Sequence, residues 1–259
     1  MFLSFGATYA SIYDALYREK NYAAEAQFAL AQVRTIVPQA PLQILDLGCG
    51  TGLHAVQLAQ VGISATGVDR SPDMVAIAEK RKELLSEELR ARLHFQVGDI
   101  RMIDFDHQYD AVLSLFHVIS YMIMDDDLER TFQTARRHLN VGGAFLFDFW
   151  YGPAVVRDPP RQRVKTTSVG ERYIQRRTIP ELDRERRVVC VNYDIEIKNI
   201  ASGETTRGQE QHFVRYFFLN ELESKLVASR FELIRFGEWL TGSFPSDTTF
   251  GVYGLAKAK

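Results

Sequence analysis

The sequence predicts an α/β fold: a doubly wound, mostly parallel sheet carrying an antiparallel β insertion after its fifth strand. Three observations predict it. From about residue 43 to 149, short apolar runs alternate with amphipathic stretches, and strict strand–helix succession implies a parallel sheet covered on both faces. The apolar run Gln43–Leu47 ends in three alternating glycines, Gly48, Gly50 and Gly52, the turn expected between a buried strand and a helix. After Trp150 the period changes to two: Val189, Val191, Tyr193, Ile195 and Ile197 alternate with Cys190, Asn192, Asp194, Glu196 and Lys198, the pattern of an antiparallel strand with one wet face.

The elements follow in order. Within residues 1–17, Tyr9, Ile12, Tyr13, Leu16 and Tyr17 fall on one face of an amphipathic helix, and the segment lacks the positive start of a signal peptide. Gln43–Leu47 reads as the first strand and Leu53–Val61 as a helix. Ser64–Val68 is the second strand. Ser71-Pro72-Asp73 then gives a cap followed by proline at the first helical position, opening a helix with Met74, Ile77, Ala78, Leu85 and Leu89 inward. Leu93–Val97 and Tyr109–Leu115 are strands three and four. Asp125–Asp127 cap a helix whose inner face is Leu128, Phe132, Ala135 and Leu139, and Gly142-Gly143 precede the fifth strand, Ala144–Phe149. Residues 160–218 read as a small antiparallel meander with turns at Pro180–Asp183 and Ser202-Gly203. Asn220–Ser229 is a helix, and Phe231–Phe236 and Thr248–Ala256 close the sheet. The division expected is 1–150 core with a helical cap, 151–218 insertion, and 219–259 completing the core.

At 259 residues the chain fits one large domain with an insertion. A formal net charge of -2 supplies no global basic character, so nucleic acid is not an expected partner. No apolar run reaches the ~18–20 residues of a membrane span. Two cysteines, Cys49 and Cys190, point to a reduced, cytoplasmic compartment. No metal-ligand set is read.

The informative segment is Asp46-Leu47-Gly48-Cys49-Gly50-Thr51-Gly52. Its small residues let the backbone turn sharply and approach a ligand at a strand's carboxyl end, where open α/β sheets bind. The dinucleotide spacing G-x-G-x-x-G fails because its third position falls on Leu53, and no Gly-Lys-Ser/Thr of a phosphate loop is present. Asp46 would repel a pyrophosphate and suits an ammonium group. S-adenosylmethionine (SAM) has one, and a sulfonium besides. Asp69, ending the second strand, can accept both hydroxyls of a ribose or cap the next helix; Asp99 ends the third strand on the same edge, where an adenine amino group could be read.

This arrangement resembles the class I SAM-dependent methyltransferases. The run 46–52 looks like their first motif, Gly67-Val68-Asp69 the second, Gly98-Asp99 the third and Tyr109-Asp110-Ala111-Val112 the fourth. Leu139-Asn140-Val141-Gly142-Gly143 is similar to the stretch before their fifth strand, with Val141 where proline is usual. The resemblance implies a seven-stranded sheet with the last strand antiparallel. It implies that Asp46, Gly48, Cys49, Gly50, Thr51 and Gly52 hold the methionine part of SAM. Asp69 would take the ribose, with Arg70 beside it, and Gly98, Asp99 and Ile100 would frame the adenine. Leu115, Phe116 and His117 would line the pocket near the transferred methyl. Met74 packs on the adenine or in the core; Tyr9 and Tyr17 close over SAM or pack as core.

Methyl transfer from a sulfonium is an in-line displacement, and the protein mainly positions the acceptor. A base is needed for a hydroxyl or an ammonium. Candidates over strands four and five are His117, Tyr121, Asp148, Trp150 and Tyr151. Histidine ordinarily titrates near neutrality, which makes His117 the first choice for a base, with a pocket-wall role as the alternative. Between Arg157 and Arg187 ten Lys/Arg face five Asp/Glu, which reads as attraction of an anionic acceptor or as a solvated ribbon edge. The Tyr9-to-Tyr17 helix, the insertion and Asp148-Phe149-Trp150-Tyr151-Gly152-Pro153 resemble the subgroup that methylates amino sugars and other small metabolites. The expected activity is N- or O-methylation of a small molecule, such as an amino sugar or nucleotide-linked sugar. The alternatives are a SAM-binding sensor or scaffold without catalysis and an NAD-dependent enzyme, the latter opposed by Leu53. The insertion edge could also pair two copies in a homodimer.

Overall fold

The computed structural model describes residues 5–39 and 42–259, so residues 1–4 of the N-terminal segment lie outside the described residues. Two helices come first, α1 (Ala7–Leu16) and α2 (Tyr22–Arg34). The core follows as β1 (Gln43–Leu47), α3 (Leu53–Gln60), β2 (Ser64–Asp69), α4 (Pro72–Glu83), α5 (Glu87–Ala91), β3 (Leu93–Val97), β4 (Tyr109–Ser114), α6 (Asp125–Arg137) and β5 (Leu139–Tyr151). After α7 (Gly152–Arg157) come four ribbon strands, β6 (Arg163–Val169), β7 (Arg172–Asp183), β8 (Val188–Asn199) and β9 (Thr205–Phe217). The chain closes with α8 (Leu219–Ala228), β10 (Phe231–Glu238) and β11 (Gly251–Ala258).

Local chemistry sets the boundaries that matter for the site. Ser71 caps α4 by accepting from Met74 N, and Pro72 fills the first turn, where a missing N–H costs nothing. Asp125, Asp126 and Asp127 occupy the first turn of α6 and Arg136 and Arg137 its last, matching charge to the helix dipole.

Seven strands make the core sheet in the order β3-β2-β1-β4-β5-β11-β10, with β11 antiparallel to both neighbours. This is the sheet the resemblance implies. Strand order reverses between β1 and β4, and that reversal opens a crevice at the strands' carboxyl ends. Helices α2 and α3 bury Ala26, Ala29, Val33 and Leu58 on one face; α6 and α8 bury Leu128, Phe132, Leu222 and Leu226 on the other. The ribbon order is β9-β8-β7-β6, and among the described residues its strand pairing with the core sheet is Trp150↔Tyr216 and Tyr151↔Phe217. Its inner face packs Ile174 and Ile195 against Tyr9, Ile12 and Leu16 of α1 and Met74 of α4.

Two expectations are corrected. The turn read at Pro180–Asp183 is strand: β7 runs to Asp183 and the turn spans 184–187. β6 pairs β7 only as far as Thr178, so Pro180 has a free edge on that side and its missing N–H disrupts no ladder. The helix read through Leu89 breaks at residues 84–86, where Ser86 caps the short α5. Helices α2 and α7 were not among the elements expected.

Candidate active site

The site is assembled where β1, β2 and β4 end. Gly48, Gly50 and Gly52 all have positive φ, at 85°, 55° and 75°. Gly48 N and Cys49 N both donate to Val68 O, at 2.7 and 3.0 Å, tying the turn to the end of β2. A Cβ on Gly48 would lie 2.5 Å from Val118 Cγ2, and one on Gly52 would lie 2.7 Å from Phe95 Cζ. One on Gly50 would meet nothing within 4 Å, so Gly50 is the member of the turn that faces open space.

Asp46 stands beneath this turn. Its side chain is 1% exposed and its Oδ2 has no hydrogen-bond partner. Burial pushes its pKa from 3.8 up to about 6, with Asp69 adding to the rise and His54 opposing it. A buried carboxylate with a free lone pair beside a backbone turn fits a ligand's ammonium group. The folded state holds the Asp46 proton more tightly than the unfolded chain does. The cost of ionising it is therefore absent below about pH 4, grows to about pH 6 and is complete above that, at roughly 3 kcal/mol. Asp46→Asn is accordingly expected to stabilise the ligand-free protein by up to about 3 kcal/mol at pH 7.5 and not at pH 4, as urea unfolding at the two pH values would show.

Asp69 is committed in part to the backbone. It accepts from Gly50 N at 2.9 Å and Ser71 N at 2.8 Å, so the glycine turn and the start of α4 share one carboxylate. Burial raises its pKa against the pull of those two N–H groups and of Arg70. Arg70 itself is exposed. Thr51 faces away from the open side: its hydroxyl donates to Asp14 of α1 at 2.7 Å, its carbonyl accepts from Arg81 Nε at 3.0 Å, and Arg81 pairs with Asp14. This clamp holds α1 on the turn. Cys49 packs under Gly67, and burial raises its thiol pKa well above the ordinary value.

The third strand end is arranged differently from the first two. Asp99 is gripped by Arg101 through Nε at 2.9 Å and Nη2 at 2.5 Å, and Arg101 also pairs with Asp127 at 2.6 Å. Ile100 lies in the core, and Gly98 packs on Ile103. Met74 is 1% exposed between α1 and the ribbon.

The end of β4 brings His117 to the glycine turn, because Val118, its neighbour, presses on Gly48. Leu115 is buried, while Phe116 and His117 both adopt left-handed backbone, at φ 67° and 63°. Two consecutive non-glycine residues in that region carry strain of about 1–3 kcal/mol each. Asp148, 1% exposed on β5, holds them: its Oδ1 accepts from His117 N at 3.1 Å and its Oδ2 lies 2.8 Å from His117 Nδ1. Ser120 reinforces the loop by donating its N–H to His117 O and accepting from Trp150 N.

Tyr121 and the tyrosines of α1 form a separate cluster beneath the ribbon. Tyr121 OH bonds His212 Nδ1 at 3.1 Å. Burial, then Arg176 and Arg70, push the His212 pKa down to about 3, so this imidazole is neutral. Tyr9 OH and Tyr17 OH are 3.2 Å apart, and both accept from Arg176 Nη1. Among the residues singled out from sequence, Asp46, the glycine turn, Asp69 and His117 therefore converge; Ile100 and Met74 are packed in the core, and Asp99 is ion-paired. Asp14, Arg81, Val118, Arg176 and His212 were not singled out.

Residues 44–143 match the model of a family described as a methyltransferase domain. Over these residues the chain carries a methyltransferase domain. That domain covers β1 through the start of β5, the part of the sheet that forms the glycine turn and the strand-end acids. The chain is 33% identical over 147 residues to dTDP-4-amino-2,3,4,6-tetradeoxy-D-glucose N,N-dimethyltransferase of Saccharopolyspora spinosa, covering 56% of this chain and 55% of that one. It is 32% identical over 152 residues to dTDP-3-amino-3,4,6-trideoxy-alpha-D-glucopyranose N,N-dimethyltransferase of Streptomyces venezuelae, covering 58% and 60%. The matched stretch thus spans little more than half the length of these two relatives. A sugar N-methyltransferase from Streptoalloteichus sp ATCC 53650 shares the fold, with a TM-score of 0.81 at 24% identity over 99% of this chain and 94% of that one. That likeness takes in the ribbon, which the domain model does not. SAM is the cofactor of this methyltransferase domain. Among the described residues, no helix is long and apolar enough to cross a membrane.

Proposed function

We propose that the chain transfers the methyl group of SAM to the nitrogen of a small amino compound of the amino-sugar class. The observation that carries the reading is the single ensemble made by the orphaned Asp46 carboxylate, the open Gly50 and the His117–Asp148 pair, joined by the contact of Val118 on Gly48. The names of the two N,N-dimethyltransferase relatives supply the acceptor class.

SAM supplies an activated methyl on a sulfonium, so the protein's own tasks are binding, orientation and proton removal. Asp46 would take the ammonium of the methionine part, and Gly50 would let the backbone come close. Asp69 would take the ribose hydroxyls with lone pairs not used by Gly50 N and Ser71 N. His117 Nδ1 lies 2.8 Å from Asp148 Oδ2, close enough for an ion pair but without hydrogen-bond geometry, which leaves Nε2 as the nitrogen turned away from Asp148. Nε2 is the atom that would take a proton from the acceptor ammonium, with buried Asp148 fixing the ring and stabilising the imidazolium that results.

Calorimetry with SAM and with its demethylated product, S-adenosylhomocysteine, tests the first half. Because ammonium binding requires ionised Asp46, SAM affinity is expected to fall towards tenfold per pH unit below about pH 6. Asp46→Asn should bind more weakly at pH 7.5 and lose that dependence. Absence of binding at millimolar ligand would defeat the proposal. Label transfer from methyl-labelled SAM to a nucleotide-linked amino sugar tests the second half.

A further inference from the structure

Arg176 is the least explained charge in the protein. It lies on the inner face of β7, 1% exposed, under α1. Among the described residues no carboxylate pairs with it. Its Nη1 donates to Tyr9 OH at 3.2 Å and Tyr17 OH at 3.0 Å, its guanidinium stacks 4.5 Å from the Tyr193 ring, and its Nε has no partner. The neighbouring carboxylates are engaged elsewhere: Glu210 accepts from Phe5 N and Gly6 N, and Asp14 is held by Thr51 and Arg81. A second positive charge lies close by, with Lys165 Nζ 5.7 Å from the Tyr17 ring that Arg176 also approaches, at 5.6 Å. A guanidinium taken out of water without a counter-charge is strongly unfavourable, so this position suits an anion.

We infer that Arg176, with the Tyr9 and Tyr17 hydroxyls, binds an oxyanion of the methyl acceptor, a carboxylate or a phosphate. The inference rests on the proposed methyl-transfer reading and deepens it. Position supports it: the Tyr17 ring stands edge-on to Phe116 at 5.1 Å, and Phe116 adjoins His117. The anion site is thus one aromatic ring away from the base. Chemistry supports it too. The guanidinium's planar fork matches two oxygens of a carboxylate or phosphate. Tyr9 OH and Tyr17 OH can share one hydrogen bond between them, which leaves a second phenolic proton to donate.

Thermal unfolding of the full chain in sodium phosphate and in sodium acetate, each against sodium chloride at equal ionic strength, tests this. One of the two anions should raise Tm saturably in the wild type. Arg176→Gln should weaken that response at least tenfold, and Tyr17→Phe, which keeps the fold's packing, several-fold. A larger response to acetate assigns a carboxylate; a larger response to phosphate assigns a phosphoryl group. An anion response that survives in both variants overturns the inference, as does no response beyond chloride. A phenolate absorbance near 295 nm at neutral pH that disappears in Tyr17→Phe also overturns it, since the charge would then be matched from within. Calorimetry with S-adenosylhomocysteine on the same samples separates the two ideas. If it does not bind while the anion response stands, methyl transfer is lost and the anion site remains.

Discussion

His117→Asn is expected to lower kcat by about 10²–10⁴-fold, the usual contribution of a positioned general base. Affinity for S-adenosylhomocysteine should change less than twofold. Asparagine is the informative replacement because it tolerates the left-handed backbone that His117 adopts at φ 63°. Asparagine also keeps the N–H that donates to Asp148, so the loop against Gly48 should stay in place. Asp148→Asn should give a smaller loss of kcat, since it removes the charge that orients the imidazole while leaving the ring present. Parallel measurement of kcat and calorimetric affinity decides the matter. A kcat within tenfold of wild type would reduce His117 to a wall of the pocket.

Gly52→Val is expected to cost the fold about 2–5 kcal/mol. Left-handed backbone costs an L-residue about 1–2 kcal/mol, and overpacking against a filled site adds about 1–3 kcal/mol. Both apply, because φ is 75° and the new Cβ would lie 2.7 Å from Phe95 Cζ and 3.0 Å from Ala78 Cβ. Gly50→Ala, in the same turn, meets no atom within 4 Å and should carry only the backbone cost. Its penalty belongs to binding: it should fold with a Tm a few degrees lower and bind S-adenosylhomocysteine at least a hundredfold more weakly. Urea unfolding and calorimetry on both variants would separate the two glycines, and equal losses of stability would contradict the geometry.

The parts of the site that could be read from sequence are those specified locally. Gly48, Gly50 and Gly52 are dictated by backbone angles that only glycine adopts without cost, and Ser71-Pro72 marks the start of α4 by capping chemistry alone. Side-chain partners chosen across the fold could not be read this way. Asp99 ends its strand as expected, yet its charge goes to Arg101, which also reaches Asp127 on α6. Nothing in the local spacing at 99–101 says which way that guanidinium turns. Arg176 escaped notice for a related reason. On β7 the inward set Ile174, Arg176 and Thr178 is scarcely more apolar than the outward set Tyr173, Gln175 and Arg177, so alternation left no hydrophobic signal. Helix α2 did carry its signals, an Asn21 cap and apolar Ala26, Ala29, Leu30 and Val33 at helical spacing, although no helix was assigned there.

The ribbon leaves the sheet at Tyr151 and returns at Phe217, and these two residues are themselves a bonded pair. The strands between them pair with the core sheet at that one spot, and side-chain packing against α1 and α4 gives them a further hold. Exchanging the ribbon would leave the strand pairing of the core sheet intact, but it would strip α1 of Ile174, Arg176, Ile195 and Glu210, residues it rests on. A chimaera that grafts a foreign ribbon between residues 151 and 217 would therefore report how far the glycine turn, clamped to α1 through Asp14, depends on a ribbon that pairs with the core elsewhere, at Trp150 and Tyr151.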